Sequence, residues 1–438
     1  MQWNWKYSFL ILGLTAVNYF AAMYISKVTD QRKKKIALIV AIALSLTVLF
    51  FFKYFNFFNL VIHDSLALVD VEYKFDLLHI LLPVGISFYT FQTLSYTIDV
   101  YQKKYKYENS FTNFALYVSF FPQLVAGPIE RAGHLLSQFK ERKKFDINRI
   151  SDGSKLILWG LFKKVVISEQ LAIYVDKVYA HPELYSGSTL VMATYLFAFQ
   201  IYLDFSAYSD MAIGMAKILG FDLQRNFRLP YLAVSITDFW RRWHISLTTW
   251  FTDYIYIPLG GSRVVFYRWI INIFVIFLIS GLWHGAAWTF VVWGLLHAFY
   301  YLIQIVWQRV NSKYKITYSV PTFISTPFKI FLTFNAVSFG WIFFRSANLT
   351  DAFTIVEKIF TDINSSLYLG SSQVQTYLAL FLLIVFYIIQ ILQHYGYITL
   401  YFSKSKFSLP IRWIAYLAMI FGLTLFGISD TAFIYFQF

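Results

Sequence analysis

The chain has 438 residues, of which 58% are apolar, 21% aromatic and only 14% charged, where soluble proteins carry about 25% charged residues. A mean hydropathy of +0.55 excludes a soluble protein with one anchor and indicates a polytopic membrane protein. The formal net charge is +14 and there is no cysteine, which removes disulfides, thiolate nucleophiles and thiol metal sites.

The basic residues fall in short stretches between apolar runs, Arg32 to Lys35, Lys103 to Lys106 and Lys140 to Lys144. That is the positive-inside pattern of cytoplasmic loops. It leaves no folded basic face for nucleic acid. The first apolar run, Tyr7 to Ile25, is too long for a signal-peptide core and is followed by "KVTDQRKKK". We expect an uncleaved helix with its N-terminus outside.

At roughly 20 apolar residues per crossing, spans are predicted near 7–25, 36–55, 77–100, 189–208, 264–282, 286–307, 327–344, 375–393 and 410–428. The stretch 111–129 is apolar too, but basic segments flank it on both sides. With Pro122, Gly127 and Pro128 inside it, a broken, re-entrant hairpin is expected. Residues 150–180 interleave Lys155, Lys163 and Lys164 with apolar side chains and predict helices partly at the interface. The stretch 235–251, "SITDFWRRWHISLTTWF", predicts one amphipathic helix in or near the membrane plane. Its start resembles a capping box of Ser235 and Asp238. His244 is expected on its apolar face beside Trp240 and Trp243. No polar linker divides the chain, so 1–438 reads as one integral domain. No internal repeat of the inverted-transporter kind is visible.

Between Trp269 and Gln308 there is no Asp, Glu, Lys or Arg, yet "SGLWHGAAWT" (280–289) puts an imidazole in the middle. An ionisable group inside a membrane segment marks a functional site. Gly281 and Gly285 permit close backbone approach beside His284, and Trp283 and Trp288 supply bulk to wall a cavity. Burial disfavours the charged imidazole, so His284 is expected to take a proton from a hydroxyl or thiol. The bland alternative is a buried histidine bonded to a neighbouring carbonyl. His297 lies at a helical offset of about 220° from His284 and reads as a packing histidine. His63, His79, His181 and His394 fall at segment ends, and His134 follows the "AGPIER" corner as a loop-capping residue. Asp204 and Asp210, with Ser206, Tyr208 and Ser209 between them, are either interfacial carboxylates or groups that orient a partner in the site. Serine-nucleophile elbows, H-E-x-x-H spacings and nucleotide-binding glycine loops are absent, and no metal is expected.

These segments together resemble the membrane-bound O-acyltransferase (MBOAT) family, in its bacterial alginate O-acetyltransferase branch. The similar stretches are "LLPVGISFYTFQTLSYTIDVY" (81–101), "FFPQLVAGPIER" (120–131), "DFSAYSDMAIG" (204–214), "NFRLPYLAVSITDFWRRWHISLTTWFTDYIYIPLGGSR" (226–263), "GLWHGAAWTFVVWGLLH" (281–297) and "WIFFRSAN" (341–348). They define a motif-bearing core of about 77–348. Thr252 departs from the Arg that relatives commonly carry, and Ala207 from a glycine.

The resemblance implies an all-α polytopic enzyme of roughly 9–12 transmembrane helices, with re-entrant and interfacial helices around a central tunnel. It implies that the histidine of "WHG", His284, is catalytic and that of "WRRWH", His244, is a second essential residue. Trp240, Arg241, Trp243, Trp283, Asp204, Tyr208, Asp210 and Asp253 are the candidates to line or support the passage. The implied reaction moves a short acyl group, acetyl from acetyl-CoA, from the cytoplasm across the bacterial inner membrane, with no bound cofactor. The implied partner is an extracytoplasmic SGNH-type transferase that completes O-acetylation of polysaccharide or peptidoglycan. D-alanyl transfer toward teichoic acid and non-enzymatic transport are the alternatives. Spans on either side of His284 place it near the outer face, whereas the resemblance implies mid-membrane.

Overall fold

The structure is a computed structural model that describes residues 5–78, 80–314, 321–362, 366–397 and 409–428; His79 lies outside them. Every regular element among the described residues is helical. Chain contacts separate two compact units, Met1–Phe145 with Leu219–Gln224, and Asp146–Ile218 with Arg225–Phe438.

The first unit contains α1 (Lys6–Lys27), α2 (Gln31–Lys53), α3 (Phe55–Ala67), α4 (Ile86–Tyr101), α5 (Phe111–Ser119), α6 (Phe121–Leu124) and α7 (Ala132–Leu135). Asp30 caps α2 by accepting from the Arg32 amide. Polar side chains hold α1, α2 and α4 together. The buried Asn18 donates to Ser45 Oγ at 3.0 Å and accepts from Thr97 Oγ1 at 2.8 Å, as polar groups do between membrane helices.

The expected span at 77–100 is shortened. Pro83 precedes Gly85, whose φ of 78° starts the helix only at Ile86. A Cβ there would lie 2.4 Å from the Leu124 carbonyl oxygen, so only glycine fits the turn. Eight helices, rather than nine or more, are long and apolar enough to cross a membrane among the described residues. The 111–129 stretch is broken, with neither α5 nor α6 long enough to cross. Lys140 Nζ meets the buried Glu108 carboxylate at 2.8 Å, which brings the two flanking basic segments together as a re-entrant path requires.

The second unit contains α8 (Ile147–Leu161), α9 (Glu169–Ala180), α10 (Gly187–Leu219), α11 (Ile236–Trp240), α12 (Ile245–Phe251), α13 (Phe266–His284), α14 (Trp288–Tyr314), α15 (Thr322–Arg345), α16 (Leu349–Thr361), α17 (Gln373–His394) and α18 (Leu409–Phe426). A π-helical stretch, Phe162–Ser168, joins α8 to α9. The expected interfacial lysines are inside: Lys163 is buried and Lys164 half-buried against α10. α10 is the central helix of this unit, with most of its residues buried. α13 and α14 form a hairpin with His284 at its tip.

Candidate active site

The 235–251 stretch is two short helices rather than one. Ser235 Oγ accepts from the Asp238 amide at 3.1 Å, and Asp238 Oδ2 accepts from the Val234 amide at 3.1 Å, so the box forms with the return bond shifted one residue back. Asp238 Oδ1 also holds Arg242 Nε at 2.8 Å. The helix then stops at Trp240, and His244 takes a left-handed conformation with φ 41° and ψ 54° before α12 begins. Such a backbone costs of order 1–3 kcal/mol and persists only where its surroundings hold it.

Asn226, in the "NFRLPY" turn, provides that hold. Its carbonyl accepts from the Ile245 amide at 2.9 Å, and its Oδ1 accepts from Ser246 Oγ at 2.6 Å and the Ser246 amide at 3.3 Å. The Arg228 amide adds a bond to the Arg242 carbonyl at 2.9 Å. Asn226 is buried, and sequence reasoning missed it. The signal was present as an asparagine opening a proline turn, but its partner lies twenty residues on.

The break turns His244 inward. Its ring packs edge-on to Phe205 of α10 at 4.7 Å and to Trp283 of α13 at 5.8 Å between centroids. Trp283 in turn meets His284 at 4.9 Å. The two motif histidines, forty positions apart in the chain, therefore share one tryptophan. Trp293 and Phe344 close the other sides of His284 at 5.0 and 5.1 Å. His284 is 6% and His244 1% exposed.

The glycines near His284 do not make room for a ligand. A Cβ on Gly281 would lie 2.3 Å from the Phe290 carbonyl oxygen, and one on Gly294 2.3 Å from that of Phe277. Gly285 is pressed against the Phe290 ring. They bring α13 and α14 backbone to backbone, the small-residue packing of membrane helices. Trp288 is 51% exposed.

The remaining candidates divide. Trp240 meets Phe277, Trp293 and His297. Trp243 is buried among Phe227, Phe239 and Trp341. Arg241 is exposed, whereas Tyr208 and Asp253 are half-buried. Asp204 and Asp210 are buried ion-pair partners rather than interfacial carboxylates. Lys163 Nζ donates to Asp210 Oδ2 at 2.7 Å and Ser206 Oγ at 2.8 Å. Lys164 Nζ lies 2.8 Å from Asp204 and 2.5 Å from Glu169. These pairs fix α10, and with it Phe205, against the π-helical stretch.

Of the other histidines, His134 is bound through Nδ1 to the buried Glu130 carboxylate at 2.6 Å. Glu130 also accepts from the Gln224 amide, so His134 does belong to a loop anchor. An open cavity of about 600 Å³, lined by Tyr185, Ser186, Lys358 and Tyr368 among others, contains none of the motif residues.

An all-helical membrane protein with two buried imidazoles around one indole has the makings of a group-transfer site. Residues 106–344 match the model of the membrane-bound O-acyltransferase family, and the chain belongs to that family. It is thus a multi-pass membrane O-acyltransferase. It is 38% identical over 360 residues, 82% of this chain and 67% of the relative, to the probable alginate O-acetylase AlgI of Pseudomonas aeruginosa. It is 36% identical over 386 residues, 81% of this chain and 70% of the relative, to the peptidoglycan O-acetyltransferase of Helicobacter pylori. Similarity to the teichoic acid D-alanyltransferase of Bacillus subtilis is 29% over 279 residues, 60% of this chain and 68% of that protein.

Proposed function

We propose that this enzyme takes an acetyl group from acetyl-CoA on the cytoplasmic side of the bacterial inner membrane and passes it outward for O-acetylation of cell-surface polysaccharide or peptidoglycan. The observation that carries the reading is the convergence of His244 and His284 on Trp283 inside a buried, ring-lined site. In this reading His284 is the general base. It takes the proton from the acceptor hydroxyl as the oxygen attacks the thioester carbonyl. The C–S bond breaks, and the proton passes from His284 to the departing thiolate. His244 positions the reacting groups through the rigid break that Asn226 holds. Trp240, Trp243 and Trp283 exclude water, while Asp204 and Asp210 act at a distance by fixing α10. An extracytoplasmic SGNH-type acetyltransferase is the partner that completes transfer to the polymer.

The acetyl group is favoured over D-alanine because the relatives named for O-acetylation are more similar and are matched over more of this chain. The test is mass analysis of cell-wall and exopolysaccharide material from cells carrying the wild-type chain or His284→Ala at equal membrane levels. Acetyl increments present in the wild type and lost in the variant are expected, a fall of at least about a hundredfold for a general base. Full acetylation by His284→Ala overturns the reading, and D-alanyl increments replace acetyl as the group moved. Uptake of labelled acetyl without bond cleavage in liposomes would instead mark a transporter.

A further inference from the structure

The open cavity of the second unit stands on the turn before α10, the end of α16 and the stretch 366–373 that leads into α17. Hydrogen bonds between residues far apart in the chain build its walls. Ser186 Oγ donates to the Ser366 carbonyl at 2.9 Å, and the Tyr174 hydroxyl to the Tyr368 carbonyl at 2.7 Å. The Tyr368 amide donates to Thr189 Oγ1 at 3.0 Å, and Lys177 Nζ to Ser371 Oγ at 2.7 Å. The Gly187 amide adds a bond to the Asp362 carbonyl at 3.0 Å. The stretch is thus fixed at residues 366, 368 and 371, which makes the cavity a built feature rather than a gap under a loose loop. Its volume of about 600 Å³ falls within the roughly 300–1,000 Å³ of small-molecule sites.

The lining combines two kinds of group. The rings of Tyr185 and Tyr368 meet at 5.1 Å with their planes 49° apart, an aromatic corner with polar rims. With them stand the side chains of Ser366, Gln373, Asp362 and Lys358. Lys358 is a positioned charge. Its ammonium donates to the Glu183 and Tyr185 carbonyls at 2.5 and 2.9 Å, which occupies two of its three N–H donors and aims the third. Both partners are neutral, so the charge is not cancelled by them. Flat rings beside fixed donors and acceptors complement a pyranose, which offers a C–H face and a rim of oxygens.

We propose that this cavity, at the end of the unit opposite Arg263, Arg268 and Arg309 and therefore on the outer face by the positive-inside rule, binds a pyranose unit of a polysaccharide. Tyr185 and Tyr368 take the sugar's C–H face, and Lys358 donates to one of its oxygens. The inference goes beyond acetyl export by giving the acceptor polymer a place on this chain, and it rests on the preceding reading for the polymer's identity.

Isothermal titration of the full chain in nanodiscs, with no acyl donor present, tests it with three probes: a mannuronate trimer, an N-acetylglucosamine trimer, and glutarate, which carries charge but no ring. Saturable binding of at least one trimer is expected, with glutarate silent at the same concentrations, and the trimer that binds identifies the class of polymer. Tyr185→Ala should weaken that binding about fivefold through the lost ring face. Lys358→Gln should weaken it roughly tenfold through the lost charge-assisted hydrogen bond. Tyr185→Ala keeps the backbone carbonyl that Lys358 holds, so it reports on the site should Lys358→Gln not fold. No saturation by either trimer, glutarate binding as tight as theirs, or an affinity indifferent to both variants overturns the proposal. The titration reads binding alone, so its failure leaves acetyl transfer standing, and a failure of acetylation in cells leaves the saccharide site standing.

Discussion

His284 and His244 reach one indole by different routes. The first is the last residue of α13, a helix long and apolar enough to cross a membrane. The second depends on a strained left-handed backbone. His134 offers a separate, measurable consequence of local chemistry outside the membrane helices. Its hydrogen bond to the buried Glu130 raises the imidazole pKa above the ordinary value, against a smaller opposing effect of burial. A raised folded-state pKa stabilises the fold fully below the unfolded value of about 6.5, and the benefit disappears as pH climbs through the raised value. The melting-temperature difference between wild type and His134→Ala in detergent should therefore be largest on the acid side of neutrality. It should shrink toward alkaline pH; a difference that grows with pH contradicts the assignment. At the same scale, His284→Ala should abolish transfer at equal membrane levels.

Two contacts between elements decide whether the site assembles. The Asn226 clamp joins the turn after α10 to the α11–α12 break by three hydrogen bonds. Asn226→Ala removes the two side-chain bonds, at about 0.5–1.5 kcal/mol each. It should cut acetylation strongly while leaving expression and monodispersity near wild type. Retained activity would show that His244 needs no clamp. The Lys163–Asp210 pair is different, because both groups are largely out of solvent, with side chains 4% and 13% exposed. Lys163→Met leaves a buried carboxylate without its cation and should destabilise by roughly 3–5 kcal/mol. Lys163→Met with Asp210→Leu should recover much of that loss, as read by thermal unfolding in detergent. A double variant no better than the single one would show that the pair is more than mutual charge compensation.

At the scale of the whole molecule, charge distributes unevenly along the second unit. Arg263, Arg268, Arg309 and Lys313 gather where α13 begins and α14 ends, and the Arg309 guanidinium lies over Phe266 at 4.7 Å. At the opposite end, Arg345 pairs with Asp176 at 2.6 Å, and Glu183, Asp351 and Asp362 accompany Lys177 and Lys358. By the positive-inside rule we propose that the first end faces the cytoplasm. The chain has no cysteine, so introduced ones report topology cleanly. Ser366→Cys should react with a membrane-impermeant maleimide from the non-cytoplasmic side, and Lys313→Cys only after permeabilisation. Labelling in the reverse pattern would invert the proposed direction of transfer.

Sequence alone determined the class of fold, because crossing a lipid bilayer demands long apolar helices whatever packs against them. Eight of the nine expected spans are present, and the short 77–100 helix failed only where Gly85 must pass the Leu124 carbonyl. His284 was conspicuous as an imidazole in a charge-free run, whereas His244, beside Arg241 and Arg242, stood out only through the family resemblance. The tertiary structure alone decided the rest. It broke 235–251 at His244, drew Lys163 and Lys164 onto the carboxylates of α10, filled the glycine gaps with α14, and enclosed His297 among rings. Those outcomes depend on contacts between residues far apart in the chain. Local periodicity cannot encode which carbonyl, carboxylate or ring will arrive to meet a given side chain.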